Sequence, residues 1–377
     1  MSDTASQPDP RLLALREDID AVDRALIEKL NRRVQLAGEI GRIKHERGEE
    51  VYVPSREQQV FDKLASYNDG PLPNAALRFI WREIISASIA QERQTVVAFL
   101  GPEATFTHQA AIKNFGSSLH YKPMSTIADV IAEVEHGDCD YGVIPIENSL
   151  GGAVNLSQEM LVDSELKVVA QVYLRVQHCL ISNHPLDQIT RIYSKDQAFN
   201  QCRDWLRRNL PKAEQQEVSS TAKGVQIASE TEGGAAIAGL LASEFYKVPV
   251  IAENIQDKTE NSTRFIVLGQ RCSPPTGEGR DRTSIVFSIE DRVRALSDAL
   301  EPFSRRGLNL CKIESRPTRR KPWDYYFFVD LIGHIDPPVA PSSNGSAATP
   351  ITASPTAPNP SAPSSKLRLS APQAKRA

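Results

Sequence analysis

Two cations in register on an apolar helix face are the first feature of this 377-residue chain that could do chemistry. Leu12, Leu15, Ile19, Val22, Leu26, Leu30, Val34, Ala37 and Ile40 fall on one stripe at about 100° per residue. Arg33 and Lys44 land inside that stripe, about three turns apart. Burying two cations is costly unless an anion meets them, so the pair reads as an anion-binding feature. The alternative is that each long side chain snorkels out to water. Arg16 lies about 100° of rotation from Arg33, so it cannot easily serve the same pocket within one chain but can serve a neighbour's. On a later helical stretch Ser88 and Glu92 continue the face of Leu77, Ile80 and Ile84, again placing polar groups in an apolar stripe.

The elements that must position these groups follow from the pattern. From Leu12 to Glu92 the periodicity is helical, punctuated by Pro54 and by Asp69-Gly70-Pro71-Leu72-Pro73, which predicts three helices, the first very long. A helix from Leu12 to Lys44 spans roughly 50 Å, longer than a three-helix domain can cover, so a dimer that buries the exposed stripe is expected. The second helix reads as Pro54 followed by Ser55 as N-cap with Gln58 three residues on, placing Arg56 and Glu57 in its first turn.

From Val96 short apolar runs (VVAFLG, YGVIPI, LKVVAQVYL, QHCLIS, RIYS, AAIAG, VPVIAENI, TRFIVLG) alternate with amphipathic stretches, an α/β texture. The Pro/Gly-rich Ser273-Pro274-Pro275-Thr276-Gly277 precedes a third unit, with strands near 284–289, 308–315 and 325–332 and a helix near 294–306. After Asp336 a Pro/Ser/Ala-rich tail lacks periodicity and reads as disordered. These shifts predict domains at 8–94, 95–272 and 282–336, with a tail at 337–377.

Lys plus Arg (44) nearly balance Asp plus Glu (47), so no global field draws the chain to nucleic acid or an anionic membrane. Small molecules and further copies of the chain are the expected partners. The five cysteines are scattered without ligand spacing and read as reduced thiols; no metal is implied. Met1–Pro10 lacks a signal-peptide pattern and no apolar run approaches a membrane span, so a cytoplasmic location is expected.

The N-terminal set, with Leu12-Leu13-Ala14-Leu15-Arg16 and Gly41-Arg42-Ile43-Lys44, resembles the all-helical chorismate mutase domain over about 80 residues. The resemblance implies that Arg33, and Arg16 from a second copy, hold the substrate's two carboxylates with Arg56 and Ser88, while Lys44, Glu57 and Glu92 address the ether oxygen and ring hydroxyl. A Claisen rearrangement needs no cofactor, only a compact conformer and donors at the breaking ether bond. Glu92 stands where some members carry Gln; a carboxyl donates only when protonated, so a raised pKa is expected.

Three α/β segments resemble prephenate dehydratase: Asp257-Lys258-Thr259-Glu260-Asn261-Ser262-Thr263-Arg264-Phe265, Gly101-Pro102-Glu103-Ala104-Thr105-Phe106-Thr107 and Val143-Ile144-Pro145-Ile146-Glu147-Asn148-Ser149. Singly, each is ordinary punctuation, and Asn261-Ser262-Thr263 is also a glycosylation sequon. Together they imply two α/β lobes around a cleft, like type II periplasmic binding proteins, with the chain crossing near Leu174 and returning near Val248. By the resemblance Thr263 delivers or relays a proton, Arg264 holds an anionic end of the substrate, and Glu147, Asn148, Ser194 and Gln201 line the pocket.

Residues 282–334 resemble an ACT domain, a ferredoxin-like module that binds an amino acid. Lys312-Ile313-Glu314-Ser315-Arg316-Pro317 matches its phenylalanine-binding motif and Trp323-Asp324-Tyr325-Tyr326-Phe327-Phe328-Val329-Asp330 the following strand, which implies Ala295, Leu296, Glu314, Ser315, Arg316 and Pro317 as allosteric contacts. Arg294-Ala295-Leu296 departs from the family's Gly-Ala-Leu, and the final helix and strand are missing after His334, leaving an unpaired edge. The whole resembles the bifunctional chorismate mutase-prephenate dehydratase family, an isomerase and lyase of phenylalanine biosynthesis, acting on chorismate and prephenate with phenylalanine inhibition weak or missing. Two rivals are a dehydratase whose helices serve only dimerisation and a small-molecule sensor without turnover.

Overall fold

The computed structural model describes residues 9–48, 52–276, 279–289, 292–318, 325–334 and 364–368. Trp323, Asp324 and most of the 337–377 tail therefore lie outside the described residues. The chain divides into two compact units, one containing residues 70–95 and the N-terminal helix, the other containing 53–69 and nearly all that follows Val96.

In the first unit α1 (Pro10–Glu46) runs 37 residues, as the stripe predicts. The second helix, α2 (Pro54–Tyr67), groups with the second unit. Its cap differs from the sequence expectation: Val53 is the N-cap, Pro54 takes the first helical position and Ser55 falls inside the first turn. Proline's fixed φ and missing N–H suit that position, which displaces the cap by two residues. α3 (Asn74–Glu92) returns to the first unit. Contacts of Ser88 with Arg33 and of Glu92 with Gly41 show that α3 runs in the same direction as α1.

The second unit opens with a lobe of β1 (Val96–Leu100), α4 (Phe106–Phe115), β2 (His120–Met124), α5 (Ile127–His136), β3 (Tyr141–Asn148), β4 (Gly152–Ala153), α6 (Asn155–Asp163) and β5 (Lys167–Arg175). A second lobe follows with β6 (Cys179–Ser182), β7 (Arg191–Ser194), α7 (Asp196–Gln201), α8 (Arg203–Asn209), β8 (Glu214–Glu217), α9 (Thr221–Ser229), β9 (Gly234–Ala238), α10 (Leu240–Tyr246) and β10 (Val250–Ala252). The chain then returns as β11 (Ser262–Gly269), which inserts antiparallel between β3 and β5, giving the order β2-β1-β3-β11-β5. The second sheet runs β10-β6-β9-β7-β8. The outbound crossover is 176–178, beside Leu174 as expected. The return runs through 253–261, beyond Val248, whose side chain is buried in the second lobe's core.

The third module contributes β12 (Arg282–Ser288), α11 (Ala295–Arg305), β13 (Leu310–Pro317) and β14 (Tyr325–Ile332). α11 covers one face of this sheet, with Phe303 against Ile285, Phe287, Val329 and Leu331. Ile313, whose register partner Val329 faces the same way, stays 49% exposed. The edge expected to be unpaired is not bare: β15 (Ser364–Arg368), from the stretch read as disordered, pairs parallel with β12. Arg294 sits at the N-cap of α11 with φ of 70°, a left-handed conformation that favours glycine. The family's glycine there is explained by backbone geometry, since the Arg294 side chain is exposed and turns toward Asp298 rather than filling a pocket. Arg294→Gly is expected to stabilise the module by about 0.5–1 kcal/mol, strain relief outweighing glycine's unfolded-state entropy. A calorimetric melting temperature unchanged or lowered in the variant would contradict this.

Candidate active sites

On the first unit, Arg33 is half-buried and donates to Ser88 Oγ at 3.0 Å, and Ser88 donates to Ile84 O at 2.7 Å. Burial lowers the Arg33 pKa. Burial also pushes the Glu92 carboxyl up, against the pull of Lys44. Glu92 Oε2 is buried with no hydrogen-bond partner among the described residues, which favours the protonated acid. Glu92 crosses α1 at Gly41, where an added Cβ would meet its Cγ at 2.6 Å. Arg33, Ser88, Lys44 and Glu92 thus come together, while Arg16 is exposed on α1 outside the set. Arg56 and Glu57 occupy the first turn of α2; Arg56 is exposed and donates to Gln59 at 3.1 Å, and Glu57 is half-buried.

In the second unit, the register of β11 on β3 places Thr263 opposite Asn148 and Arg264 opposite Glu147. Successive strand residues face opposite sides, so these two pairs serve different surroundings. Asn148 Nδ2 donates to Thr263 Oγ1 and to Asn261 Oδ1, each at 2.8 Å. Asn261 Nδ2 donates to Gln201 Oε1 at 2.9 Å, and that oxygen lies 2.8 Å from His178 Nε2. Asn148 Oδ1 accepts from the main-chain N–H groups of Leu150 and Gly151 at 3.0 and 2.9 Å. This chain borders a cleft lined by Gly151, Asn200, Gln201, Arg203, Lys258 and Asn261. Because Asn148 donates to Thr263 Oγ1, the Thr263 hydroxyl accepts there and keeps its own proton for a different acceptor.

Arg264 and Glu147, expected to bind substrate, pair on the opposite side of β11 and β3 from Thr263 and Asn148. The Arg264 guanidinium, buried on the far side of β11, donates to Asp330 of β14 at 2.6 Å and lies 3.5 Å from Glu147. Glu147 pairs with Lys312 at 3.0 Å. Strand alternation is the reason: whatever face Thr263 takes, Arg264 takes the other. Ser194 is fully buried at the end of β7 with its hydroxyl donating to Ile237 O at 2.7 Å, outside the amide chain.

Of the expected allosteric contacts, Glu314 accepts from Gln158 of α6 at 2.9 Å and from Arg316 at 2.7 Å. Burial alone would raise the Glu314 pKa, but those hydrogen bonds and the Lys312 charge outweigh it and hold it below the ordinary value. Arg316 also donates to Asn155. Ala295 is buried and Leu296 half-buried in α11, on the opposite face of the sheet, so one chain does not bring them to Glu314 and Arg316; Ser315 and Pro317 are exposed. Sequence reasoning missed His178 and Arg203. His178 lies in an apolar run that reads only as a strand, and no spacing singles it out.

No described helix is long and apolar enough to cross a membrane. The chorismate mutase type II family matches residues 15–93, prephenate dehydratase 97–273 and the ACT domain 283–340. A bifunctional chorismate mutase/prephenate dehydratase of Aquifex aeolicus is 45% identical over 328 residues, covering 86% of this chain and 90% of that protein. Its counterpart from Pseudomonas aeruginosa is 39% identical over 336 residues, covering 87% and 92%. The crystal structure of prephenate dehydratase from Arthrobacter aurescens in complex with L-Phe superposes with a TM-score of 0.59 at 31% identity, over 64% of this chain and 81% of that one. With three domain families in order and near-complete coverage of such relatives, the chain belongs to the bifunctional chorismate mutase/prephenate dehydratase family.

Proposed function

We propose that this chain rearranges chorismate to prephenate in its helical domain (8–94) and converts prephenate to phenylpyruvate in its two-lobed domain (95–272), two steps toward phenylalanine. The observation that carries the second step is the Asn148-to-Thr263 hydrogen bond, which leaves the Thr263 proton available to a different acceptor, in a chain of amides whose Asn261 and Gln201 line the cleft. Thr263 gives that proton to the ring hydroxyl as the C–O bond breaks. The ring carboxylate leaves as CO2, its electron pair completing the aromatic ring, and water is the other product; the proton on Thr263 is then replaced from solvent. Arg203 and Lys258 supply positive charge for the substrate's carboxylates at the cleft. Prephenate supplied alone should yield phenylpyruvate; its survival in the presence of purified protein would sink this reading.

For the first step, Arg33 with Ser88 offers a carboxylate site, and Lys44 with protonated Glu92 offers donors to the ether oxygen. Leu15, Ile19, Val22, Leu26 and Ile40 are all more than half exposed on α1, which supports a second copy covering that helix and bringing its Arg16. Glu92 must be protonated to donate, so mutase activity falls as pH rises through its raised pKa. Glu92→Gln donates at any pH and is expected to keep mutase activity while moving its optimum upward. An unchanged pH profile would count against Glu92 touching the substrate.

The exposed Ile313 and the separation of Ala295 and Leu296 from Glu314 and Arg316 support impaired regulation. Titrating phenylalanine into the dehydratase assay should change the rate little; strong inhibition at low ligand concentration would show that the module still closes a site.

A further inference from the structure

The polarity of the amide chain next to Thr263 can be read from its Asn148 end. There two main-chain N–H groups converge on Asn148 Oδ1, which must be the carbonyl oxygen; its NH2 then faces Asn261 and Thr263. Asn261 must turn its oxygen to Asn148 and its NH2 to Gln201, so the Gln201 atom it meets is an oxygen. An oxygen that accepts from Asn261 can only accept from His178 as well. His178 therefore carries its proton on Nε2, and its Nδ1 is a bare acceptor, buried with no partner among the described residues. Burial of the ring lowers its pKa, against the Gln201 hydrogen bond, consistent with a neutral imidazole.

The placement of these residues gives the chain its reach. His178 ends the outbound crossover and Asn261 the return one, Gln201 belongs to the second lobe, and Asn148 and Thr263 belong to the first. The crossovers are tied directly, Val176 N to Asn261 O at 2.8 Å and Ile255 N to His178 O at 2.9 Å. Phe106 stands edge-on to the His178 ring at 5.5 Å and is backed by Gly239, where an added Cβ would come within 2.9 Å of the Phe106 ring. The imidazole is thus held in plane as well as in tautomer.

Building on the dehydratase reading above, we propose that His178 is a positioning residue: its Nε2–H locks Gln201, Asn261 and Asn148 in the one orientation that makes Thr263 Oγ1 an acceptor and frees its proton for the substrate. Without that donor, Gln201 can turn its NH2 toward the Asn261 NH2, two donors then face each other, and Asn148 loses its acceptor at Asn261. Its NH2 can shift toward Ser262 O, now at 3.4 Å, and away from Thr263.

The test compares full-length wild type, His178→Leu and His178→Gln on prephenate, with circular dichroism and the melting temperature of each variant as the control for folding. His178→Leu should lower kcat by about 10- to 100-fold, the scale of a misplaced reacting group, with KM within about threefold. His178→Gln, whose amide can put an N–H near the former Nε2, should stay within about fivefold of wild type. A 15N–1H two-bond correlation spectrum of the wild type should show the Nε2–H tautomer, a readout that holds even if His178→Leu fails to fold. An Nδ1–H tautomer, equal damage from both variants, no damage from either, or a loss carried by KM would each overturn the proposal. A wild type inert toward prephenate would instead remove the dehydratase reading itself.

Discussion

Thr263→Ala is expected to lower the dehydratase rate by about 10²- to 10⁴-fold, the range attached to a lost proton donor, and to leave the mutase rate within about twofold. A methyl group cannot give a proton, whereas Thr263→Ser keeps the hydroxyl that Asn148 addresses and should retain most of the activity. Parallel assays on prephenate and on chorismate separate the two effects. Loss of both activities in a variant with wild-type circular dichroism would contradict the assignment of the steps to separate domains.

The second large effect concerns stability. Arg264 and Asp330 form a pair 2.6 Å apart with side chains only 6% and 9% exposed, and Ser284 donates to the other carboxylate oxygen. Removing one partner of such a pair leaves the other charged and buried, which costs about 3–5 kcal/mol. Asp330→Ala should therefore lower the melting temperature of this unit by on the order of 10 °C. Replacing both, as Arg264→Met with Asp330→Leu, should recover much of the loss because no charge is then stranded. Burial alone would raise the Asp330 pKa, but Arg264 and the hydrogen bonds it and Ser284 donate outweigh it and hold the folded value below the ordinary one. The pair's contribution is then complete above the ordinary aspartate range, about pH 4, and is lost as pH falls through the lower folded value. Denaturation curves showing Asp330→Ala within a degree or two of wild type would contradict this account of the interface.

Much of the fold was legible because its determinants are local. The stripe from Leu12 to Ile40 gave α1, and the runs VVAFLG, YGVIPI and TRFIVLG gave β1, β3 and β11, strands whose burial demands continuous apolar residues. Two of the strands that escaped, β2 (HYKPM) and β8 (EQQE), are the outer edges of their sheets, where solvent removes the need for an apolar run. Thr263, Asn148 and Gln201 could be named from motifs and do lie in one hydrogen-bonded chain. Which way Arg264 and Glu147 face could not be named, because that depends on which module packs on the far side of β11. His178 was invisible for a related reason: its meaning comes from Gln201 and Asn261, 23 residues and a whole lobe away in sequence, and a lone histidine in a run that reads as a strand carries no pattern. The left-handed Arg294 shows the converse, where a departure visible in sequence acquired its cause only from the backbone angle.

The central claim is that one chain carries both reactions, and a single time course addresses it. Purified protein is given chorismate alone, and chorismate, prephenate and phenylpyruvate are followed together. The account predicts that chorismate disappears, prephenate rises and then falls, and phenylpyruvate accumulates to match the chorismate lost. Chorismate that persists while added prephenate is consumed would reduce the helical domain to a dimerisation element, and no turnover of either substrate would contradict the account outright.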